Sequence, residues 1–221
     1  MRKLWIGIVL VLALLVGGCQ GDPSVSNEIV DAEGASSDAV MPAYKKVLQN
    51  EMVFFMYNNF WNGRFEDVKA VGAQGEYTML GDYLGTRSDA STVFYVRGFT
   101  VVDMNGDGLQ EVIVETPPTE ERIVLWYKNG EVYGALFTQR GLNALKTDGT
   151  FTQSDGANNT QYCRLQFMDK VCQVETLAAS TDEDNTEFTA LIEQHAEKED
   201  VQWYSYDAES IEEIIMGNVV E

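Results

Sequence analysis

From Phe94 to Thr176 the apolar residues come in short runs with turn residues between them, and many runs alternate with polar positions. That period of two, with β-branched and aromatic residues dominant, predicts strands. The strands expected are Phe94-Tyr95-Val96, Phe99 to Val102, Glu111 to Glu115, Arg122 to Tyr127 and Val132 to Thr138. Pro117-Pro118 breaks the chain between the third and fourth. Asn129-Gly130 is a strong two-residue hairpin turn. It predicts the pairs Lys128 with Glu131, Tyr127 with Val132 and Trp126 with Tyr133. Asp148-Gly149 predicts a second hairpin, between Leu142–Thr147 and Thr150–Gln153, and Asp155 to Asn159 reads as a polar turn. A third hairpin, Tyr162–Phe167 with Val171–Thr176, turns at Asp169-Lys170.

Helical spacing appears at the two ends of this region. Tyr44, Val47, Leu48, Met52 and Phe55 recur at three and four residues, with Pro42 suited to a first turn, so a helix is predicted over 43–60. Val53, Phe54, Met56 and Tyr57 make its later turns apolar all round, which predicts burial against a sheet. Asn62-Gly63 ends it. Residues 64–91 carry scattered glycines, and Tyr77 to Leu80 is the best strand there. After the third hairpin, the acidic stretch Thr181 to Asp184 suits the positive start of a helix over 186–198. A strand Val201–Tyr206 follows, and Asp207 caps a last helix, Ala208 to Met216. The expected fold is therefore α+β: an antiparallel β-meander, propeller-blade-like, with an N-terminal helix and C-terminal helices packed on it. No 40–50-residue repeat is present, so a full propeller is excluded.

One stretch of this pattern carries chemistry. In Asp103-Met104-Asn105-Gly106-Asp107-Gly108-Leu109-Gln110-Glu111, oxygen side chains fall at positions 1, 3, 5 and 9 and a glycine at position 6. Leu109, at position 7, offers its backbone carbonyl. That is calcium-loop spacing: Ca²⁺ takes six to eight oxygens at roughly 2.3–2.6 Å. An EF-hand also needs Glu at position 12, where this chain has Val114, and its loop is flanked by helices rather than strands. The predicted site is a strand–loop–strand cradle of Asp103, Asn105, Asp107, Leu109 and Glu111, closed by Glu111. In this it resembles the short Asp-rich calcium loops of integrin-type and related bacterial β-propeller repeats, over about nine residues and their flanks; those loops more often end on Asp. A metal-free Asx/Gly hairpin is the alternative.

The N-terminus changes where the domain is expected to work. Arg2 and Lys3 precede an apolar run, Leu4 to Val16, too short for a stable span. Leu15-Val16-Gly17-Gly18-Cys19 then looks like a bacterial lipobox, which implies a lipidated Cys19 and removal of residues 1–18 as a signal peptide. Two acyl chains give a durable membrane hold. Residues 19–41, rich in Ser, Asp, Gly and Ala, read as a flexible tether on the order of 25 Å long. Residues 42–221 form the single folded domain.

The formal charge is −20. Without residues 1–18 there remain 13 basic and 35 acidic residues, or −22. Such a chain repels nucleic acid and anionic lipid headgroups and suits divalent cations. His195 is the sole histidine and reads as a partly buried helix-face residue. In the predicted register Cys163 faces Thr176 and Cys172 faces Phe167. The two lie roughly 13 Å apart along the ladder, beyond disulfide reach. An extracytoplasmic location favours a bond and this register opposes it; free core thiols are expected.

Lipobox, tether, Asp-rich loop and aromatic hairpins together resemble lipoproteins of Gram-positive bacteria, clostridial types especially, a resemblance that brings no activity with it. The expectation is a lipid-anchored protein on the extracytoplasmic face, with a calcium-stabilised binding domain for an extracytoplasmic protein or glycan. A cell-wall or glycan-acting hydrolase is the alternative, though no catalytic motif appears.

Overall fold

The computed structural model describes residues 37–57, 74–154, 159–168, 171–180 and 186–217. The signal peptide, Cys19, nearly all of the tether, and the turns at 62–63, 155–158 and 169–170 lie outside the described residues.

The described residues begin with helix α1, Ser37–Leu48. Val40, Met41, Tyr44, Val47 and Leu48 share one face and are buried. Strand β1 follows, Phe54–Tyr57, then β2, Gly75–Thr78, and helix α2, Leu80–Arg87. The meander is β3, Gly98–Val102; β4, Glu111–Thr116; β5, Glu121–Lys128; and β6, Glu131–Phe137. A second set comprises β7, Phe151–Ser154; β8, Thr160–Met168; and β9, Val171–Ala179. Helix α3, Thr186–Glu197, and strand β10, Tyr204–Ser205, come next. The last segment is a short helix α4, Ala208–Ser210, that runs on as a π-helix, Ile211–Ile215.

Seven strands form one sheet in the order β10-β3-β4-β5-β6-β1-β2, and β7-β8-β9 form another. Alternation decides which layer each residue enters. Phe54, Met56, Phe99, Val112, Val114, Ile123, Leu125, Val132 and Leu136 pack with α1, α2 and the C-terminal Ile211 and Ile215. Their neighbours Ile113, Val124, Trp126, Tyr133 and Phe137 pack with Phe151, Cys163, Leu165, Cys172 and Val174 of the small sheet. The large sheet is thus buried on both faces, helices on one side and three strands on the other. The α+β meander with helices packed on it is the architecture expected.

The hairpin at Asn129-Gly130 pairs Lys128 with Glu131, Tyr127 with Val132 and Trp126 with Tyr133, as predicted. The β8–β9 register likewise sets Cys163 against Thr176 and Phe167 against Cys172. Both thiols are free and buried. Burial pushes Cys163 up to about 12 and Cys172 further.

Several expectations need correction. The N-terminal helix starts earlier, with Pro42 inside it, and stops at Leu48. Asn50 takes a left-handed conformation, φ 59°, and its side chain receives the Gly81 amide at 2.9 Å in the first turn of α2. The apolar run beyond is a buried strand: β1 lies parallel to β6, Met56 opposite Gly134. A Cβ on Gly134 would stand 2.6 Å from the Phe54 ring, so glycine makes that approach feasible. Of the strand expected at Tyr77–Leu80, Tyr77 and Thr78 lie in β2, and the chain then forms α2, with Leu80 and Leu84 buried at a spacing of four. Phe94-Tyr95-Val96 lies in no strand. Leu142–Thr147 meets its partner only at the Asn143–Thr152 bridge and the Lys146–Thr150 hydrogen bond. The strand expected at Val201–Tyr206 contracts to Tyr204–Ser205, and the last helix tightens only over its first turn before widening. Asp207 caps that turn, accepting from the Ser210 amide at 2.8 Å.

Candidate functional site

Loop 103–111 joins β3 to β4 and places its residues by side chain-to-backbone bonds. Asp103 Oδ1 accepts the Gly106 amide at 2.6 Å and, more weakly, the Asn105 amide at 3.3 Å; Oδ2 accepts the Gly108 amide at 2.9 Å. Asn105 Oδ1 accepts the Asp107 amide at 3.0 Å, and Asp107 Oδ1 the Leu109 amide at 2.8 Å. Gly106 and Gly108 have φ of 79° and 90°, in the left-handed region that glycine enters freely. The two glycines therefore let the chain fold back on Asp103. Met104 and Leu109 turn inward and are buried, and Met104 joins the core beneath the small sheet.

Glu111, the closing residue, is only 4% exposed. Its Oε2 accepts the Met104 amide at 2.8 Å. Burial pushes its carboxyl well above the usual carboxylate range, and the charges of Asp107 and Asp103 add to the shift. Among the described residues, none of the ion pairs includes Asp103, Asp107 or Glu111.

The five predicted residues are thus held in one loop, but not drawn together into a closed cage. Among the described residues no three His, Cys, Asp or Glu side chains gather tightly enough to hold a metal ion. Asn105 Nδ2 donates to Asp107 Oδ2 at 2.7 Å, and Glu111 is turned to the Met104 amide. These oxygens are held by local backbone and side-chain donors, as is usual for Asx-rich turns. The donor set itself suits a hard ion: carboxylates, one amide and one free carbonyl position, with no sulfur or imidazole.

Two neighbours of the loop were not legible as site residues. The Asp148-Gly149 turn presses directly on it: a Cβ on Gly149 would stand 2.8 Å from the Met104 Cα and would also strike the Asp103 carbonyl oxygen. Arg164, on β8, brings Nη1 to 4.0 Å from the place a Gly106 Cβ would occupy, and its buried Nε has no hydrogen-bond partner. The glycine announced only a turn in the sequence, and nothing near Arg164 pointed to a loop some sixty positions earlier. Among the described residues no helix is long and apolar enough to cross a membrane.

No family model matches the sequence, and neither a curated protein nor a solved structure matches it.

Proposed function

We propose that the chain is a lipid-anchored extracytoplasmic protein whose domain is stabilised by Ca²⁺ in loop 103–111 and serves binding or interaction rather than catalysis. One observation carries the calcium reading. Asp103, Asn105 and Asp107 accept the loop amides at 106, 107, 108 and 109, which holds three oxygen-bearing side chains in one tight bend of the kind a calcium loop needs. Behind them stands a buried carboxylate, Glu111, that lacks a cationic partner among the described residues.

In this reading Asp103, Asn105, Asp107 and the Leu109 carbonyl supply the ion's oxygens, and Glu111 closes the set. Ca²⁺ would offset two of the three negative charges of Asp103, Asp107 and Glu111 and tie the start of β4 to the end of β3. Extracellular sites of this kind bind Ca²⁺ at about 10⁻⁴–10⁻³ M, and turning Asn105 and Glu111 away from their present partners opposes binding. At free Ca²⁺ ten times Kd, linkage gives about 1.4 kcal/mol. For a domain of this size that is a rise in melting temperature of about 3–6 °C.

Thermal melting of the full chain in chelator and in millimolar Ca²⁺ checks this. An unchanged melting temperature, with no calorimetric heat on titration, overturns the calcium reading. The anchor rests on the lipobox around Cys19 and is checked separately, by the mass of the mature N-terminal peptide. A chain that begins at an unmodified residue other than Cys19 overturns that part alone.

A further inference from the structure

Helix α3 is fastened at its C-terminal end by a polar cluster that loop 103–111 does not use. His195, the chain's one histidine, lies in the last turn and is 2% exposed. Its ring meets Tyr162 of β8 edge-on, centroids 5.0 Å apart. The imidazole hydrogen-bonds the backbone of Thr150, and its Nε2 is buried with no hydrogen-bond partner among the described residues.

Two ammonium groups stand nearby. Lys146 Nζ donates to the carbonyls of Lys198 at 3.0 Å and Ala196 at 3.4 Å, and to Asp200 Oδ1 at 2.7 Å. Lys198 Nζ donates to Asp148 Oδ2 at 2.6 Å and to the Tyr162 hydroxyl at 2.7 Å. Asp148, the nearby carboxylate on the hairpin, is thereby taken by Lys198, and also by Thr150 Oγ1 at 2.5 Å. From β9 the charged group is Glu175, engaged with Gln166 at 2.9 Å. A proton on Nε2 would create a buried N–H with no acceptor, beside two positive charges.

We propose that His195 is a protonation-sensitive latch: neutral, it docks helix α3 onto Tyr162 and the Asp148–Thr150 turn; protonated, it releases the end of the helix. The sign follows from the surroundings. Burial lowers the imidazole's pKa, the bond to Thr150 opposes this, Lys146 and Lys198 lower it further, and Asp148 raises it; the net direction is down from 6.5. The native state therefore resists a proton that the unfolded chain accepts. Stability from this contact is present above about pH 6.5 and is lost as pH falls through the folded value. Release in mild acid would bare Tyr162 and the face of the hairpin turn.

Hydrogen exchange of the full chain at about pH 7.5 and 5.5, corrected for intrinsic rates, tests the latch. Opening of α3 is expected to rise by roughly tenfold per pH unit below 6.5 until the folded value is reached. Amides of β4 to β6 keep their protection. In His195→Gln, which can still donate to Thr150 but cannot take the proton, α3 changes by less than about twofold. An equal loss in both proteins, or loss in α3 and the meander together, overturns the proposal. Should the variant fail to dock α3 at any pH, the wild-type imidazole resonances decide, needing no assignment in a chain with one histidine. Titration below 6.5 supports the latch, and titration at or above it overturns it.

Discussion

At the scale of single residues, Glu111 separates a calcium site from an ion-free hairpin. Its carboxyl is buried and its pKa is raised above 4.5, so the native state holds a proton that the unfolded carboxyl gives up near that value. Stability from this group is present below about 4.5 and is lost as pH rises through the folded value. Ca²⁺ would bind the ionised form, whose burial is unfavourable, and would offset that cost. Glu111→Gln is therefore expected to melt at or above the wild type in chelator at pH 7, and to lack the rise in Ca²⁺ proposed for the wild type; paired melting curves read both effects. Gly149→Ala acts on the same loop from the other side. Its φ of 75° and the crowding against Asp103 and Met104 predict a loss of about 2–4 kcal/mol, measured by urea unfolding. The members of the loop were legible because Asp103, Asn105, Asp107 and Glu111 follow one another at fixed spacing. The pressure of Gly149 and the approach of Arg164 were not, because both are contacts between distant parts of the chain.

At the scale of elements, hairpin registers were read from two-residue turns, while the type of one apolar segment was misread. The run Val53 to Tyr57 is apolar on every side, and a buried strand and a buried helical turn share that signature. What decided it was Gly134, whose missing side chain admits Phe54 and Met56 alongside β6. The glycines in α2 hid an eight-residue helix whose signal was Leu80 and Leu84, one turn apart, with Arg87 in the last turn. The β8–β9 register has a chemical consequence. Cys163 and Cys172 are opposite different partners, and both are buried. Each is expected to resist iodoacetamide in the native protein and to react only in denaturant, as counted by intact mass, and an oxidising buffer is expected to leave the melting temperature unchanged.

For the whole molecule, charge is the dominant long-range term. Residues 42–221 carry 13 basic and 30 acidic residues, a formal −17 that repels itself, and the repulsion is screened within about 10 Å at 0.1 M salt. Raising NaCl to about 0.5 M is expected to lift the melting temperature by a few degrees in chelator. The increment that Ca²⁺ adds at matched ionic strength should survive in part, since a coordinated ion is not replaced by a diffuse one; scanning calorimetry across the salt series separates the two.

The order of the large sheet has one further consequence. Its outermost strands, β10 and β2, come from near the two ends of the folded chain, and the β3–β6 ribbon between them is continuous in sequence. Clipping either terminus would strip a selvedge from a woven cloth: unpaired amides and carbonyls of β3 or β6 would lie open to the next molecule. Shortened forms of this protein should therefore polymerise edge to edge before they unravel.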